Sequence, residues 1–280
     1  MVGVRVAGDM ASEARLREAL AGLPRVAVAL SGGIDSRFLC HMALACGCDV
    51  AALHASGPHV PPEESAAARE WAQVRGLRFI SFVHDPLSLP EVAANSRERC
   101  YACKRALLGG MRAVLEAAGE EGRVLCDGGN ADDQRAFRPG LRAVAEAGVR
   151  SPLAEAGLAK SAIRELARAT GLDRPDQPSR PCLLTRLAYG MEPTASLLAR
   201  VAATEAALAA LDAADREATG PEGGFGEFRL RLAPEPVLQC GRFPERLAAA
   251  AQASLAQHGF APFSVVTGGE VSGFFDAGPR

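Results

Sequence analysis

The sequence lacks any long apolar run. Nowhere among its 280 residues do about eighteen apolar residues occur together, the length that a membrane-spanning helix needs. The N-terminus also lacks the basic segment and apolar run of a signal peptide. Neither sign of charge dominates, because 31 basic residues stand against 33 acidic ones and the formal net charge is -2. No global field therefore attracts nucleic acid or an anionic membrane, and we expect a cytoplasmic enzyme that binds neither.

The eight cysteines are too dilute for a disulfide scaffold, and we interpret them as thiols. Four lie in apolar helix or strand patterns and are expected to be small buried side chains: Cys40, Cys46, Cys48 and Cys126. Three lie in polar, turn-rich surroundings: Cys100, Cys103 and Cys182. The surroundings of Cys240 favour neither interpretation.

Short apolar segments alternate with helical patterns through the first half of the chain. Val26–Leu30 is an all-apolar run that ends in Ser-Gly-Gly, as expected for a parallel strand buried on both faces. The other predicted elements are helices over 13–23, 36–46, Glu63–Arg75 and part of 101–118, and strands Val50–His54, Leu77–Val83 and Val124–Cys126. This alternation predicts an α/β fold with a doubly wound parallel sheet. Ligands of such sheets bind at the carboxyl ends of the strands, so three segments should converge there: Ser31–Ser36, His54–Pro58 and Asp127–Asp133.

The second half begins with an irregular connector. Residues 173–193 are rich in Pro and Arg and carry no periodicity. Beyond them the patterns predict helices over 194–217 and 244–258 and strands over 227–233, 236–240 and 262–267, which is a smaller α+β module. We therefore expect two domains, 1–190 with the parallel sheet and 191–280 with the smaller module.

The hexapeptide Ser31-Gly32-Gly33-Ile34-Asp35-Ser36 is a candidate phosphate loop. Glycines let backbone N–H groups approach phosphate oxygens, and the start of the following helix favours an anion. The alternative is a simple glycine turn between strand and helix. The loop is not a Walker A motif, because no lysine follows the glycines. It resembles the PP-loop of ATP pyrophosphatases, which implies that Ser31, Gly32, Gly33, Asp35 and Ser36 hold ATP and that Asp35 helps to position Mg²⁺.

The cysteines of the polar segments form a second constellation. Cys100 and Cys103 make a Cys-x-x-Cys motif, and Cys182 lies in the connector. A closed structural zinc site needs four ligands, and no histidine accompanies these three thiols in the sequence. Three thiolates suit a [4Fe–4S] cluster with one iron left open.

Together with the phosphate loop, these segments resemble the LarE family, sulfur transferases that act in making the nickel-pincer nucleotide of lactate racemase. Four stretches carry the resemblance in the family's order: Ser31–Leu39; Arg99–Lys104; Asp127–Asp133 with Arg138-Pro139-Gly140; and Ser151-Pro152-Leu153 through Lys160 to Pro178–Gly190. The resemblance implies ATP-dependent adenylation of the carboxylates of pyridinium-3,5-biscarboxylic acid mononucleotide and their conversion to thiocarboxylates. Some members sacrifice the sulfur of one cysteine, at the position of Cys182. Others hold a [4Fe–4S] cluster that carries a sulfide, and Cys100, Cys103 and Cys182 match that type.

Further residues receive candidate roles, from their positions in the first domain and from the resemblance in the second, each with a simpler alternative. Asp127 and Asn130 would face the nucleotide and Asp133 would bind Mg²⁺, unless all three only cap their loop. Arg186, next to the cysteine site, would hold anionic phosphate, unless it is solvated at the surface. The remaining assignments are on the second domain. Arg229 and Arg231 would bind the substrate phosphate, unless they lie on a solvated strand face. Glu205 would lie near the metal, unless it is exposed on its helix. Arg37 departs from the family, in which a small hydroxyl residue is common at this position.

Other functions remain open at this stage. One is a different PP-loop enzyme, either a cluster-dependent tRNA thiolase or an ammonia-using synthetase; the balanced charge and the three cysteines disfavour these. Another is an iron–sulfur scaffold that binds nucleotide without turnover. The expected partners are the pyridinium mononucleotide, a sulfide donor and, because family members form rings, further copies of the chain.

Overall fold

The computed structural model describes residues 7–133, 139–268 and 274–275. Arg138, part of one family motif, lies outside these residues, as does most of the segment Gly268–Asp276. The chain divides into two compact units. The first comprises the described residues of Met1–Pro86 and Glu98–Arg180, and the second those of Leu87–Arg97 and Pro181–Arg280. The boundary that we expected at 190/191 stays a prediction.

The first unit contains a parallel sheet of four strands in the order β3-β2-β1-β4. The strands are β1 (Arg25–Ala29), β2 (Asp49–Ser56), β3 (Arg78–Val83) and β4 (Val124–Cys126). Successive strand side chains point to opposite faces. Val26 and Val28 of β1 join one buried cluster and Ala27 joins another, so both faces of the central strand are covered. The predicted α/β class with a parallel sheet is confirmed.

Helices supply the two layers that cover this sheet. They are α1 (Ala7–Ala21), α2 (Ile34–Ala45), α3 (Pro62–Val74), α5 (Arg99–Ala117), α6 (Gly140–Glu146), α7 (Pro152–Glu155) and α8 (Lys160–Ala169). The cluster around Phe38 and Ile163 includes side chains of α1, α2, α3, α7 and α8. The cluster around Leu108 and Leu115 includes side chains of α5 and lies on the opposite face of β1.

The second unit contains a three-stranded mixed sheet and the remaining helices. Its elements are α4 (Pro90–Ala93), α9 (Ala195–Thr219), β5 (Phe228–Ala233), β6 (Glu235–Cys240), α10 (Glu245–Gln257) and β7 (Ser264–Thr267), with a 3-10 turn at Leu183–Arg186. The strand order is β5-β6-β7, in which β5 and β6 are antiparallel and β6 and β7 are parallel. Helix α9 packs against α10 and against β5. This is the smaller α+β module that the sequence predicts.

The buried cysteines follow the apolar patterns. Cys40, Cys48 and Cys126 are buried, whereas Cys46 is only half-buried and packs against the core. Cys240, which the sequence left undecided, is also buried. Across the described ranges, no helix is both long enough and apolar enough to cross a membrane.

Candidate functional site

The phosphate loop joins β1 to α2. Gly32 has a φ of 83°, in the left-handed region that favours glycine. Gly33 is the residue before the helix, and among the described residues no side-chain hydrogen bond caps the start of α2. Ser31 Oγ lies 3.2 Å from Ser36 Oγ and accepts a hydrogen bond from Gly33 N at 3.3 Å. The first turn of α2 therefore presents backbone donors to an anion, with two hydroxyl groups beside them.

A pocket opens next to this loop. Its lining comprises loop residues, Arg37 of α2, one face of α3 and the first part of the irregular connector: Ser31–Gly33, Arg37, Glu64, Ala67, Ala68, Arg174, Gln177 and Arg180. Three of these side chains are guanidinium groups, which suit phosphate oxygens. Reasoning from the sequence did not identify Arg174, Gln177 or Arg180 as site residues. Their only signal was the position of residues 177–180 inside a family-like stretch.

Asp35 lies in the first turn of α2 and is paired on one side only. Its Oδ2 atom forms an ion pair with the ammonium group of Lys160 at the start of α8. Its Oδ1 atom is buried and has no hydrogen-bond partner among the described residues. A buried acceptor without a partner is costly unless a ligand completes it. An oxygen atom in this position fits one ligand of a hard cation such as Mg²⁺.

The ends of neighbouring strands come together around this loop. A Cβ atom at Gly128 would lie 2.9 Å from the backbone nitrogen of Ser36. The loop after β4, residues 127–133 and here called the β4 loop, therefore packs directly on the first turn of α2. The ring Nδ1 atom of His54, in β2, lies 2.8 Å from the carbonyl oxygen of Leu30. Since that carbonyl can only accept, Nδ1 carries the proton. The loop after β4 and the last residues of β2 thus both contact the segment after β1.

Asp127 and Asp133 of the β4 loop already accept hydrogen bonds from protein groups. Asp127 Oδ1 accepts from Ser151 Oγ at 2.7 Å and from Gly129 N at 3.0 Å. Asn130 N donates to Asp133 Oδ2 at 3.1 Å, and Asn130 Oδ1 accepts from the backbone nitrogen of Asp133 at 3.3 Å. The loop-capping alternative therefore describes these contacts. Within the described part of either unit, no three His, Cys, Asp or Glu side chains are grouped as metal ligands.

The Cys-x-x-Cys motif occupies the first turn of α5. Cys100 is exposed and Cys103 is half-buried. His84, which follows β3, places Nε2 3.4 Å from Cys103 Sγ. A histidine that the sequence motif does not reveal thus lies beside one of the thiols, because the fold brings together residues nineteen positions apart. His59, after β2, is edge-on to His84 with ring centroids 5.5 Å apart.

The third cysteine belongs to the second unit. Cys182 is half-buried and directly precedes the 3-10 turn, where its carbonyl accepts from Thr185 N at 3.0 Å and Thr185 Oγ1 at 2.8 Å. None of the cysteines forms a disulfide within the described residues. Burial raises the pKa of Cys40 and Cys126 to about 12, so those thiols are poor ligands. Cys100 is exposed and Cys46, Cys103 and Cys182 are half-buried, so burial does not bar Cys100, Cys103 or Cys182 from acting as ligands.

Arg186 and Glu205 bind each other. Arg186 is buried and donates from Nε and Nη2 to the two carboxylate oxygens of Glu205 at 2.9 and 2.7 Å. Its Nη1 atom donates to Pro181 O at 2.8 Å. Glu205 Oε1 also accepts from Leu230 N at 2.9 Å. The bidentate pair holds the turn after Cys182 onto α9 and β5. The expectation of a solvated arginine at the surface does not describe Arg186.

The two arginines of β5 are buried rather than solvated. Arg229 is 7% and Arg231 3% exposed. Arg231 donates to Gln239 Oε1 at 3.0 Å and to Thr185 O at 2.8 Å. Arg229 donates to Glu227 Oε1 at 3.0 Å, and burial lowers the pKa of its guanidinium group. Both side chains lie on one face of the strand, as the alternation predicts. Their role at a substrate phosphate stays a prediction.

Fold and site together define a nucleotide-binding α/β protein with a phosphate loop of the PP-loop kind. No family model matches the chain. An uncharacterized protein of Synechocystis sp. is 36% identical over 234 residues, 80% of this chain and 82% of that protein. The pyridinium-3,5-bisthiocarboxylic acid mononucleotide synthase of Lactiplantibacillus plantarum is 34% identical over 201 residues, 71% of this chain and 72% of that protein. The NMN synthetase structure from Francisella tularensis has a TM-score of 0.49 and 17% identity, covering 62% of this chain and 76% of that one.

The chain belongs to the LarE family, that of the pyridinium-3,5-bisthiocarboxylic acid mononucleotide synthase. The predicted family is therefore confirmed. Membership makes the chain an ATP-using enzyme of the PP-loop class, which agrees with the uncapped start of α2 beside Gly32 and Gly33.

Proposed function

We propose that the protein is an ATP-dependent sulfur transferase acting on pyridinium-3,5-biscarboxylic acid mononucleotide. The observation that carries the proposal is the phosphate loop, whose open helix start adjoins a pocket with three arginines, in a chain of this family. We further propose that the protein works in the cytoplasm as a homo-oligomer. Its nucleotide site is formed by Ser31–Ser36, with Asp127 and Asn130 of the β4 loop beside it.

The first step activates the substrate. A carboxylate oxygen attacks the α-phosphorus of ATP, the bond from that phosphorus to the oxygen bridging to the β-phosphate breaks, and pyrophosphate leaves. The acyl adenylate can then lose AMP, a much better leaving group than oxide. The N–H groups at the start of α2 and the hydroxyl groups of Ser31 and Ser36 stabilise the charge that develops on the departing pyrophosphate.

Asp35 is the residue that we propose to hold Mg²⁺, because its buried Oδ1 atom lacks a partner. Bound Mg²⁺ would neutralise phosphate charge during phosphoryl transfer. Magnesium sites commonly use one or two carboxylates plus the phosphates themselves. Asp133 is the second candidate ligand, although it now caps its loop. Glu205 is a weaker candidate, since Arg186 already engages both of its oxygens.

For the second step we propose that Cys100, Cys103 and Cys182 hold a [4Fe–4S] cluster. The cluster would bring the sulfide that replaces AMP on the activated carboxylate, and a separate sulfide donor would replenish it. All three thiols are exposed or half-buried, Cys46 is half-buried and packs against the core, and Cys40, Cys48, Cys126 and Cys240 are buried. Arg186 orders the turn next to Cys182. We propose that Arg229 and Arg231 bind the substrate phosphate.

Anaerobic purification followed by iron and sulfide analysis tests the cysteine assignment. Cys100→Ala should lose the bound iron, whereas the matched variant Cys46→Ala, whose thiol packs against the core, should keep it. Full iron content in Cys100→Ala would show that the cluster assignment is wrong. AMP and pyrophosphate should be released steadily when ATP and the pyridinium substrate are both present. If neither is released, a non-turnover nucleotide-binding scaffold becomes the better account.

A further inference from the structure

Arg37 is the most deeply buried charged side chain near the phosphate loop. It lies in the first turn of α2 and is only 1% exposed. Its Nη1 atom donates to the carbonyl oxygen and to Oδ2 of Asp173, both at 3.0 Å. Its Nη2 atom donates to Arg174 O at 3.1 Å and to Gln177 Oε1 at 2.8 Å. One guanidinium group thus holds three residues of a segment that is about 140 positions away in the sequence.

The same segment is tied back to the phosphate loop and to α3. Gln177 Nε2 donates to Gly32 O at 3.3 Å, which links Arg37 to the glycine turn through a single side chain. Asp173 also accepts from Trp71 Nε1 at 2.9 Å and pairs with Arg75. These contacts join the loop, α2 and α3 to residues 173–177. The described connections all lie within the first unit.

The segment is held in a backbone conformation that it would not favour alone. Arg174 has a φ of 46°, in the left-handed region that is uncommon for residues other than glycine. Such a conformation persists only where surrounding contacts over-determine it. The bond from Arg37 to Arg174 O is one of these contacts. Arg174 and Arg180 line the same pocket as Gly32 and Gly33.

We propose that Arg37 is a positioning residue that fixes segment 173–180 as the second wall of the nucleotide pocket, so that Arg174 and Arg180 meet the phosphates held by the loop. The inference rests on the proposed function only in taking the ligand to be ATP. It gives a role to Arg37, which stands where the family commonly has a small hydroxyl residue. It also makes ATP binding depend on contacts that do not touch the ligand. Where only a fraction of molecules holds the competent arrangement, apparent affinity falls by that fraction.

Calorimetric titration of the full chain with MgATP, without sulfur acceptor, measures this dependence. Arg37→Gln should raise the Kd for ATP about tenfold, as expected if the competent arrangement falls to roughly one molecule in ten. Arg180→Gln should also weaken binding. The matched control is Arg69→Gln on α3, whose side chain stacks on Phe79 outside the pocket and should leave the Kd unchanged. Amide hydrogen exchange gives a second measure, since the backbone N–H groups of residues 173–180 should exchange faster in Arg37→Gln and be slowed by MgATP in the wild type.

An Arg37→Gln protein that binds ATP with the wild-type Kd and exchanges the amide hydrogens of residues 173–180 at the wild-type rate would overturn the inference. A lower melting temperature with an unchanged Kd would do the same, because it would reduce Arg37 to a structural role. If Arg37→Gln does not fold, Gln177→Ala removes the bond from Arg37 and the link to Gly32 while leaving the bonds from Arg37 to Asp173 and Arg174 in place, and it should raise the Kd several-fold. An unchanged Kd in this variant also overturns the inference. A further outcome is that the variants weaken ATP binding as expected in a protein that releases no AMP from ATP and the pyridinium substrate. That result would contradict the proposed function and still support this inference.

Discussion

Substituting Gly128 by Ala tests how closely the β4 loop must approach the phosphate loop. The added methyl group would lie 2.9 Å from Ser36 N and 3.2 Å from the carbonyl carbon of Asp35. Both neighbours are backbone atoms in the first turn of α2, so neither can swing aside as a flexible side chain would. Overpacking against fixed atoms costs about 1–3 kcal/mol. We therefore expect the free energy of unfolding to fall by that amount.

The same clash should also weaken ATP binding. Since Ser36 and Asp35 belong to the phosphate loop, displacing their backbone misaligns the N–H groups that would face the phosphates, and ATP affinity should fall with stability. Denaturant titration gives the stability change and calorimetry gives the Kd for MgATP. Gly109→Ala is the control, because Gly109 lies inside α5 and a Cβ atom added there would have nothing within 4 Å. That variant should gain about 0.5–1 kcal/mol and bind ATP normally. Equal stability and affinity in Gly128→Ala and the wild type would refute the close approach.

Two further predictions concern buried polar groups of the first unit. Burial lowers the pKa of His59 from 6.5 to about 4. Between those two pH values His59 takes up a proton in the unfolded chain but not in the folded one, which favours unfolding. The contribution of His59 to the free energy of unfolding should therefore fall by about 3 kcal/mol from pH 7 to pH 4. Denaturant titrations at both pH values should show a smaller fall for His59→Gln, and an identical fall would contradict the assignment. Glu120 is buried, and its carboxylate meets Arg25, Arg78 and Arg123. Glu120→Gln should lower the free energy of unfolding by on the order of 3 kcal/mol, because it leaves the positive charge of these arginines less compensated. The same denaturant titration measures this change. A change below about 0.5 kcal/mol would show that these ion pairs contribute little to stability.

Local patterns were enough to predict the parallel sheet. Val26–Leu30 is apolar throughout because both faces of its strand are covered, and Val124–Cys126 matches the observed β4. Helix α8 was absent from the predicted elements although Ala162, Ile163, Leu166 and Ala167 recur at helical spacing and are buried. The signal was present there and was not used.

Contacts made by tertiary folding could not be predicted in this way. In the sequence, Arg37 is recognisable only as a residue type that is uncommon at this position in the family. Its partners Asp173 and Gln177 are about 140 positions away. His84 reaches Cys103 only because β3 ends near the first turn of α5. A motif shows which residue types are present, whereas the pairing of a buried charge depends on which elements the sheet brings together.

The most direct test of the proposed function counts products per chain. Anaerobically prepared protein would receive ATP, Mg²⁺, sulfide and the pyridinium mononucleotide, and mass spectrometry would follow both the thiocarboxylate and the mass of the peptide carrying Cys182. The account predicts more than one thiocarboxylate per chain, with Cys182 intact. A yield of at most one product per chain, with dehydroalanine in place of Cys182, would contradict it.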